Sequence, residues 1–278
     1  SSVPKLDSLE GINGKNVLVW SEQGFGDTIQ FCRYVPLLVE RGAKVIFEVQ
    51  APLHALLKDQ FDCLAVSQGA ATSGVDFQVP LLSLPLLFAT SLNSIPAQTP
   101  YLKVSGEKIA AWASKLALGQ DRPNIGIACS GDATHPNDQN RSMNLERFLA
   151  IADMGKLFLI QKETRQADRA FLDKHPQISC LAAEIGDFAD SAAIVANMDV
   201  IVCVDTSLAH LAGALGKPVH ILLPRVPEWR WLLERAESTW YPSAILFRQT
   251  QAGKWDSLMD KVAKEISRRE KFDQNRFA

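Results

Sequence analysis

Short runs of apolar and β-branched residues alternate with segments of helical period along most of the chain. The first cycles are "NVLVW" (16–20), "TIQFCRYVPLLVERG" (28–42), "KVIFEVQ" (44–50), "PLHALLKDQF" (52–61) and "CLAVS" (63–67). Near-continuous apolar strands separated by helices predict a parallel sheet covered on both faces. The rhythm breaks between about 90 and 122, where "SLNSIPAQTPYLKVSGE" is rich in Ser and Pro, and resumes with "NIGIACS" (124–130). A helix from about Asn144, strand "KLFLIQK", a helix near 164–174, helix "DFADSAAIVANM" and strand "VIVCVD" follow. Helix "TSLAHLAGALG", strand "VHILLP", a Trp-rich segment and a C-terminal helix from Trp255 complete the second series. The expectation is two α/β halves, 1–105 and 106–278, with a cleft between the carboxyl ends of their strands, where open parallel sheets bind ligands.

Composition narrows the partners. The charges nearly balance, 29 Lys+Arg against 31 Asp+Glu, so no basic excess points to nucleic acid or an anionic membrane surface. The five cysteines are odd in number and scattered, which fits buried thiols in a reducing cytoplasm better than a disulfide framework or a zinc cluster. The most apolar stretch, "VPLLSLPLLFA" (79–89), is too short and Pro-broken to span a bilayer.

Three loops that follow strands carry candidate chemistry. In "SEQGFGDTIQF" (21–31), Gly24 and Gly26 allow a tight turn, but neither the dinucleotide fingerprint nor a P-loop is present. Asp27 stands instead at the helix entrance, where a carboxylate competes with phosphate for the free N–H groups. Asp27 is therefore either a helix cap or a general base facing the cleft, with Glu22 a weaker candidate for the second role. In "VIVCVDTSLAHLAGALGKPV" (200–219), Asp205 ends a strand and Thr206 and Ser207 open a helix with free N–H groups and hydroxyl donors, which suits an anion. His210 follows one turn later on the same face. This stretch is either an ordinary capped helix with a core histidine or a diphosphate cradle. In "CSGDATHPNDQNRS" (129–142), Ser130, His135 and Arg141 can reach the same cleft, and Arg141 suits a bidentate phosphate contact. Lys162 and Glu163 end a further strand, suited to a phosphate and to ribose hydroxyls. The Trp-rich "PRVPEWRWLLERAESTWYP" (224–242) serves either stacking on a base or packing between halves.

No Asp-x-Asp, Cys-x-x-Cys, His-Glu-x-x-His or Gly-x-Ser-x-Gly occurs, which removes support for a metal-bridged phosphate, a structural zinc and a hydrolase elbow. Diphosphate charge would then be met by a helix N-terminus and by Arg or Lys.

"DTSLAHLAGALGKP", "GFGDTIQF" and "HPNDQNRS" together resemble glycosyltransferase family 9, the heptosyltransferase-like enzymes of GT-B fold. "EQGFGDTIQFCRYVPLL" and "PEWRWLL" resemble in particular the domains of this kind at the C-terminus of bacterial tetratricopeptide-repeat proteins. The resemblance implies two Rossmann-like domains and inverting, metal-independent transfer from a nucleotide diphosphate sugar, ADP-heptose-like or other, to a hydroxyl acceptor. It implies no cofactor beyond that donor. It places the acceptor in the first half, with the loop of Glu22, Gly24 and Gly26, and the donor in the second. It matches Asp27 to the catalytic base, Asp205, Thr206 and His210 to the donor motif, Ser130 and Arg141 to the phosphate loop and Glu163 to a ribose-binding acid. Ser207 stands where the family usually has Gly, and the first proline after the Gly-Asp comes late, at Pro36, so a lipopolysaccharide acceptor gives way to any glycan or protein. Two rivals stand beside this: a catalytically silent module binding a nucleotide sugar or a protein, and an epimerase of the same architecture.

Overall fold

A computed structural model describes residues 3–70, 73–119 and 121–274, the side chains of 269–274 excepted. The first half contains β1 (Asn16–Trp20), α1 (Phe25–Phe31), α2 (Val35–Val39), β2 (Lys44–Val49), α3 (Ala51–Leu57), β3 (Leu64–Ser67), β4 (Phe77–Pro80) and α4 (Leu84–Leu87). The second contains α5 (Gly106–Lys115), β5 (Asn124–Ala128), α6 (Asp138–Arg141), β6 (Lys156–Leu159), α7 (Gln166–Leu172), β7 (Ile178–Cys180) and α8 (Phe188–Ala196). It continues with β8 (Val200–Val204), α9 (Ser207–Ala214), β9 (Val219–Leu223), β10 (Ala244–Arg248) and α10 (Asp256–Gln274).

The strands form two sheets, ordered β3-β2-β1-β4 and β10-β9-β8-β5-β6-β7, with every pairing parallel. The α/β class and the two-sheet GT-B arrangement expected from the sequence are what is observed. The sheets differ in cover. β5, β8 and β9 are buried at every position, as strands with helices on both faces must be. β1 instead alternates buried with half-buried residues.

The predicted helix 28–42 is divided. Pro36 cannot supply an N–H to a continuing helix, and a 3-10 turn over Cys32–Tyr34 separates α1 from α2. The segment expected to be helical from Asn144 is 3-10 in character over Leu145–Met154. Side chains make the N-caps of α5 and α8: Ser105 Oγ accepts from Lys108 N–H, and Asp187 Oδ1 from Ala189 and Asp190 N–H.

One apolar cluster runs from Val17, Val19, Ile29 and Leu53 of the first half to Ile194, Leu208 and Trp240 of the second. A separate one lies between the Leu145–Met154 segment, α10 and the other face of the larger sheet, around Phe148, Leu157, Val202 and Met259. Cys32, Cys129 and Cys203 are buried thiols. No helix among the described residues is long and apolar enough to cross a membrane.

Candidate active site

The helices that follow β1 and β8 meet. The chain leaves β1 through Ser21 to Gly24 and enters α1 with Gly24 as N-cap. Asp27, in the third helical position, accepts the Gly24 N–H on Oδ2 at 3.0 Å, so its own carboxylate closes the helix start. Gly24 has φ of −82°, which any residue can adopt, and Gly26 lies inside α1, so the glycines here are not turn-formers. Gly26 is required for another reason. A Cβ at that position would stand 2.8 Å from His210 Cδ2 and 3.5 Å from Ser207 Cα, so its absence lets α1 lie directly on α9. Glu22 is turned away to accept the Leu82 N–H at 3.2 Å.

α9 begins differently. Thr206 is its N-cap with no side-chain cap bond, and no acidic residue stands in the first turn. The Thr206 hydroxyl is buried and has no hydrogen-bond partner among the described residues. Asp205, just before it, is 6% exposed. Burial raises its carboxyl pKa above the usual value, against the charges of Arg230 and Arg141 and the Trp231 indole. Arg141 donates from Nη1 to the Asp205 carbonyl at 3.2 Å, which fixes the 129–142 loop over the start of α9. His210 is buried against Tyr241, with Nδ1 2.9 Å from the Tyr241 hydroxyl, and stacks on Trp231 with centroids 5.3 Å apart. Gly213 permits this, since a Cβ there would overlap the Tyr241 ring at 2.4 Å. Burial, with Arg230 and Arg33 adding repulsion, holds the imidazole pKa well below its ordinary value, so His210 is neutral near pH 7.

Arg230 crosses from the second half to the first. Its Nη2 donates to Asp27 Oδ1 at 2.8 Å and its Nη1 to Gln30 Oε1 at 2.6 Å. Both oxygens of Asp27 are thereby engaged, and the Arg230 and Asp27 side chains are only 11% and 13% exposed. A second arginine ties the halves deeper in. Arg33 donates to the carbonyls of Gln30, Pro96 and Trp240 and to the Tyr101 hydroxyl, with the Tyr101, Tyr241 and Trp240 rings around its guanidinium.

Ser130 is buried at the end of β5, where its Oγ accepts from Gln161 Nε2 at 3.1 Å, and the same amide nitrogen donates to the Glu163 carbonyl at 2.9 Å. Gln161 thus joins the ends of β5 and β6. Glu163 itself is exposed, and exposed Lys162 spends its ammonium on the Gly186 carbonyl at 2.8 Å. His135 accepts the Asn137 N–H at 3.1 Å within a local turn. The structure therefore gathers Asp27, Gly26, Arg141, Asp205, Thr206, Ser207 and His210 about the α1–α9 contact, with Ser130, Lys162 and Glu163 along the neighbouring strand ends. Arg230, Gln30, Tyr241 and Arg33 escaped the sequence reading, and Trp231 entered it only as one of the tryptophans of the 224–242 segment. The signal available for Arg230 was a cation set between two tryptophans in a Pro-bounded segment. Of the tryptophans there, Trp240 is buried against Phe31 of the first half, Trp231 is buried against His210 and Tyr241 of its own half, and Trp229 is 61% exposed. Surface hollows of about 540 Å³ over Met154 and Lys264, and about 340 Å³ beside Gly119 and Lys156, share no residue with this site.

Residues 156–222 match the model of glycosyltransferase family 9 (heptosyltransferase), a span that includes Lys162, Glu163 and the whole Asp205–His210 stretch. The solved ADP-heptose lipopolysaccharide heptosyltransferase II of E. coli shares the fold, with a TM-score of 0.63 and 14% identity over 92% of this chain and 100% of that one. TibC from enterotoxigenic E. coli, an iron-containing dodecameric glycosyltransferase, superimposes with a TM-score of 0.58 and 12% identity over 89% of this chain and 66% of its own. Protein FlbA of Caulobacter vibrioides is 23% identical over 291 residues, covering 92% of this chain but 47% of FlbA, so the chain spans about half the length of that relative. Among the described residues, no group of three or more His, Cys, Asp or Glu is placed to hold a metal ion.

Proposed function

We propose, from the match to glycosyltransferase family 9 and the GT-B fold, that this chain is a metal-independent inverting glycosyltransferase using a nucleotide diphosphate sugar. The observation that carries the reading is the start of α9. It lies inside the matched span, offers free N–H groups with no acid in its first turn, and adds a buried Thr206 hydroxyl that nothing engages among the described residues. A helix end in that state is built for an anion. The donor is assigned to 106–278 and the acceptor to 1–105. Thr206, Ser207 and the α9 N–H groups receive the diphosphate, Arg141 supplies charge beside them, and Ser130, Lys162 and Glu163 line the route to the nucleotide.

In the mechanism Asp27 takes the proton of an acceptor hydroxyl while that oxygen attacks the anomeric carbon. The bond from that carbon to the diphosphate breaks with inversion, and the α9 terminus and Arg141 stabilise the leaving charge. Neutral His210 serves as a hydrogen-bonding group rather than a counter-ion. The acceptor is a glycan or protein hydroxyl, and the working compartment is the cytoplasm. In the full-length protein, tetratricopeptide repeats precede this region, a proposal to which the partial coverage of FlbA gives room.

A second reading, a silent module that binds a nucleotide sugar, is favoured by one observation: both oxygens of Asp27 are already occupied, one capping Gly24 and one paired with Arg230. Thermal stabilisation by ADP, UDP, GDP and CDP tests the site shared by both readings, since a ligand at 100 times its Kd adds about 2.7 kcal/mol. A shift with one nucleotide, lost in Asp205→Ala, is expected, and no shift with any rejects donor binding. Release of the same nucleotide from its sugar conjugates, unaffected by EDTA, then separates enzyme from silent module.

A further inference from the structure

Arg230 stands between two places that attract its charge. On the first-half side its fork is committed to Asp27 and to Gln30, whose buried Nε2 has no partner among the described residues. On the second-half side its field acts on Asp205, which directly precedes the α9 N-cap, and on His210 one turn into the helix. Its Nε is buried and makes no hydrogen bond among the described residues, so part of its donor capacity is idle in the arrangement observed. The same arginine therefore lies within electrostatic reach of the carboxylate assigned as base and of the helix end assigned to the diphosphate.

The segment that carries Arg230 is suited to a change of partner. It is a single 3-10 turn, Trp229–Trp231, anchored by the buried Trp231 and by Arg248, which donates to the Trp231 and Leu232 carbonyls. Leu232 closes the turn at φ 58° and ψ −171°, a combination that costs any side-chain-bearing residue free energy. Val226, Trp229 and Leu233 around it are exposed, so apart from Trp231 the segment has few buried apolar side chains to oppose a shift of the turn. A diphosphate offers more charge than one carboxylate and matches the guanidinium fork equally well.

We infer that Arg230 is a donor-sensing residue: it holds Asp27 while the donor site is empty and turns to the diphosphate when the donor binds, releasing Asp27 for the acceptor hydroxyl. This rests on the proposed function. It makes binding ordered, donor before acceptor, and it accounts for the occupied oxygens of Asp27 without making the protein silent. Because coupling between sites is reciprocal, the free energy with which Asp27 holds Arg230 appears as a penalty on diphosphate binding.

The test is a double-mutant cycle on the Kd of whichever of ADP, UDP, GDP and CDP the wild-type chain binds most tightly, measured by titration calorimetry. Asp27→Asn keeps an acceptor for the Gly24 N–H and removes the charge. It is expected to tighten binding about five- to tenfold, the low end of ordinary coupling. Arg230→Met is expected to weaken binding by about tenfold and to abolish the effect of Asp27→Asn. An Asp27→Asn effect of equal size in both backgrounds would be plain charge repulsion and overturns the inference, as does no tightening in the wild-type background. Should Arg230→Met fold poorly, Arg230→Lys retains the charge without the fork, and the inference then requires a reduced but non-zero Asp27→Asn effect. A wild-type chain that binds none of the four nucleotides removes the proposed function along with the inference, whereas binding without the coupling removes the inference alone.

Discussion

The starts of α1 and α9 occupy equivalent places, each following a strand of its own parallel sheet and each aimed at the other half, yet they are finished in opposite ways. α1 is closed by its own acid, Asp27, on the Gly24 N–H. α9 has no acid in its first turn and leaves the Thr206 hydroxyl without a partner among the described residues. A carboxylate at a helix start excludes an external anion, and a bare start with a spare hydroxyl invites one. In the proposed function this contrast assigns the diphosphate to α9 and leaves the charge that seals α1 to act on something other than phosphate.

The largest effect that can break this comparison is on transfer. Asp27→Asn should lower turnover by about 10² to 10⁴ while nucleotide diphosphate binding persists, because general-base catalysis is worth that much and α9 is untouched. Turnover equal to wild type in a steady-state assay would leave Asp27 as a cap and nothing more. Next comes the contact between the two helices. Gly26→Ala forces a methyl to 2.8 Å from His210 and should cost about 1–3 kcal/mol of stability, read as a lowered denaturant midpoint. An unchanged midpoint would mean that α1 and α9 do not touch in solution. Thr206→Val removes a hydroxyl that makes no hydrogen bond among the described residues, so stability should hold within about 0.5 kcal/mol. Nucleotide diphosphate affinity should fall by about tenfold, the worth of a hydrogen bond to a charged group. Equal affinity would place the anion elsewhere.

The two helix starts were not equally legible from sequence. The α9 side was readable because its parts are local: Asp205, the small hydroxyl residues and His210 fall within six consecutive positions directly after the strand. The α1 side was readable only in part, since the role of Gly26 depends on His210 and that of Asp27 on Arg230, its partner 203 residues away. No periodicity carries that distance. Three strands were also not announced by the hydrophobic pattern. β4, β7 and β10 span four, three and five residues, and β4 ends in Pro80 at the edge of its sheet. Arg33 was hidden for a third reason, that a buried guanidinium satisfied by carbonyls and aromatic rings has no acidic partner to advertise it.

The smallest effect concerns His210, which belongs to α9 but is shaped by α1. Burial holds its pKa well below the ordinary value in the folded chain, whereas an unfolded histidine titrates near 6.5. Below that pH the unfolded state binds a proton that the folded state refuses, so the stability His210 contributes is complete at neutral pH and is lost as pH falls through 6.5 toward the folded pKa. The slope is at most about 1.4 kcal/mol per pH unit. Urea midpoints at pH 7.5 and 5.5 should therefore separate more for the wild type than for His210→Gln, which cannot titrate. If the two proteins lose stability in parallel, His210 is protonated in the folded state, α1 does not exclude water from it, and the start of α9 carries a cation as well as a bare helix end.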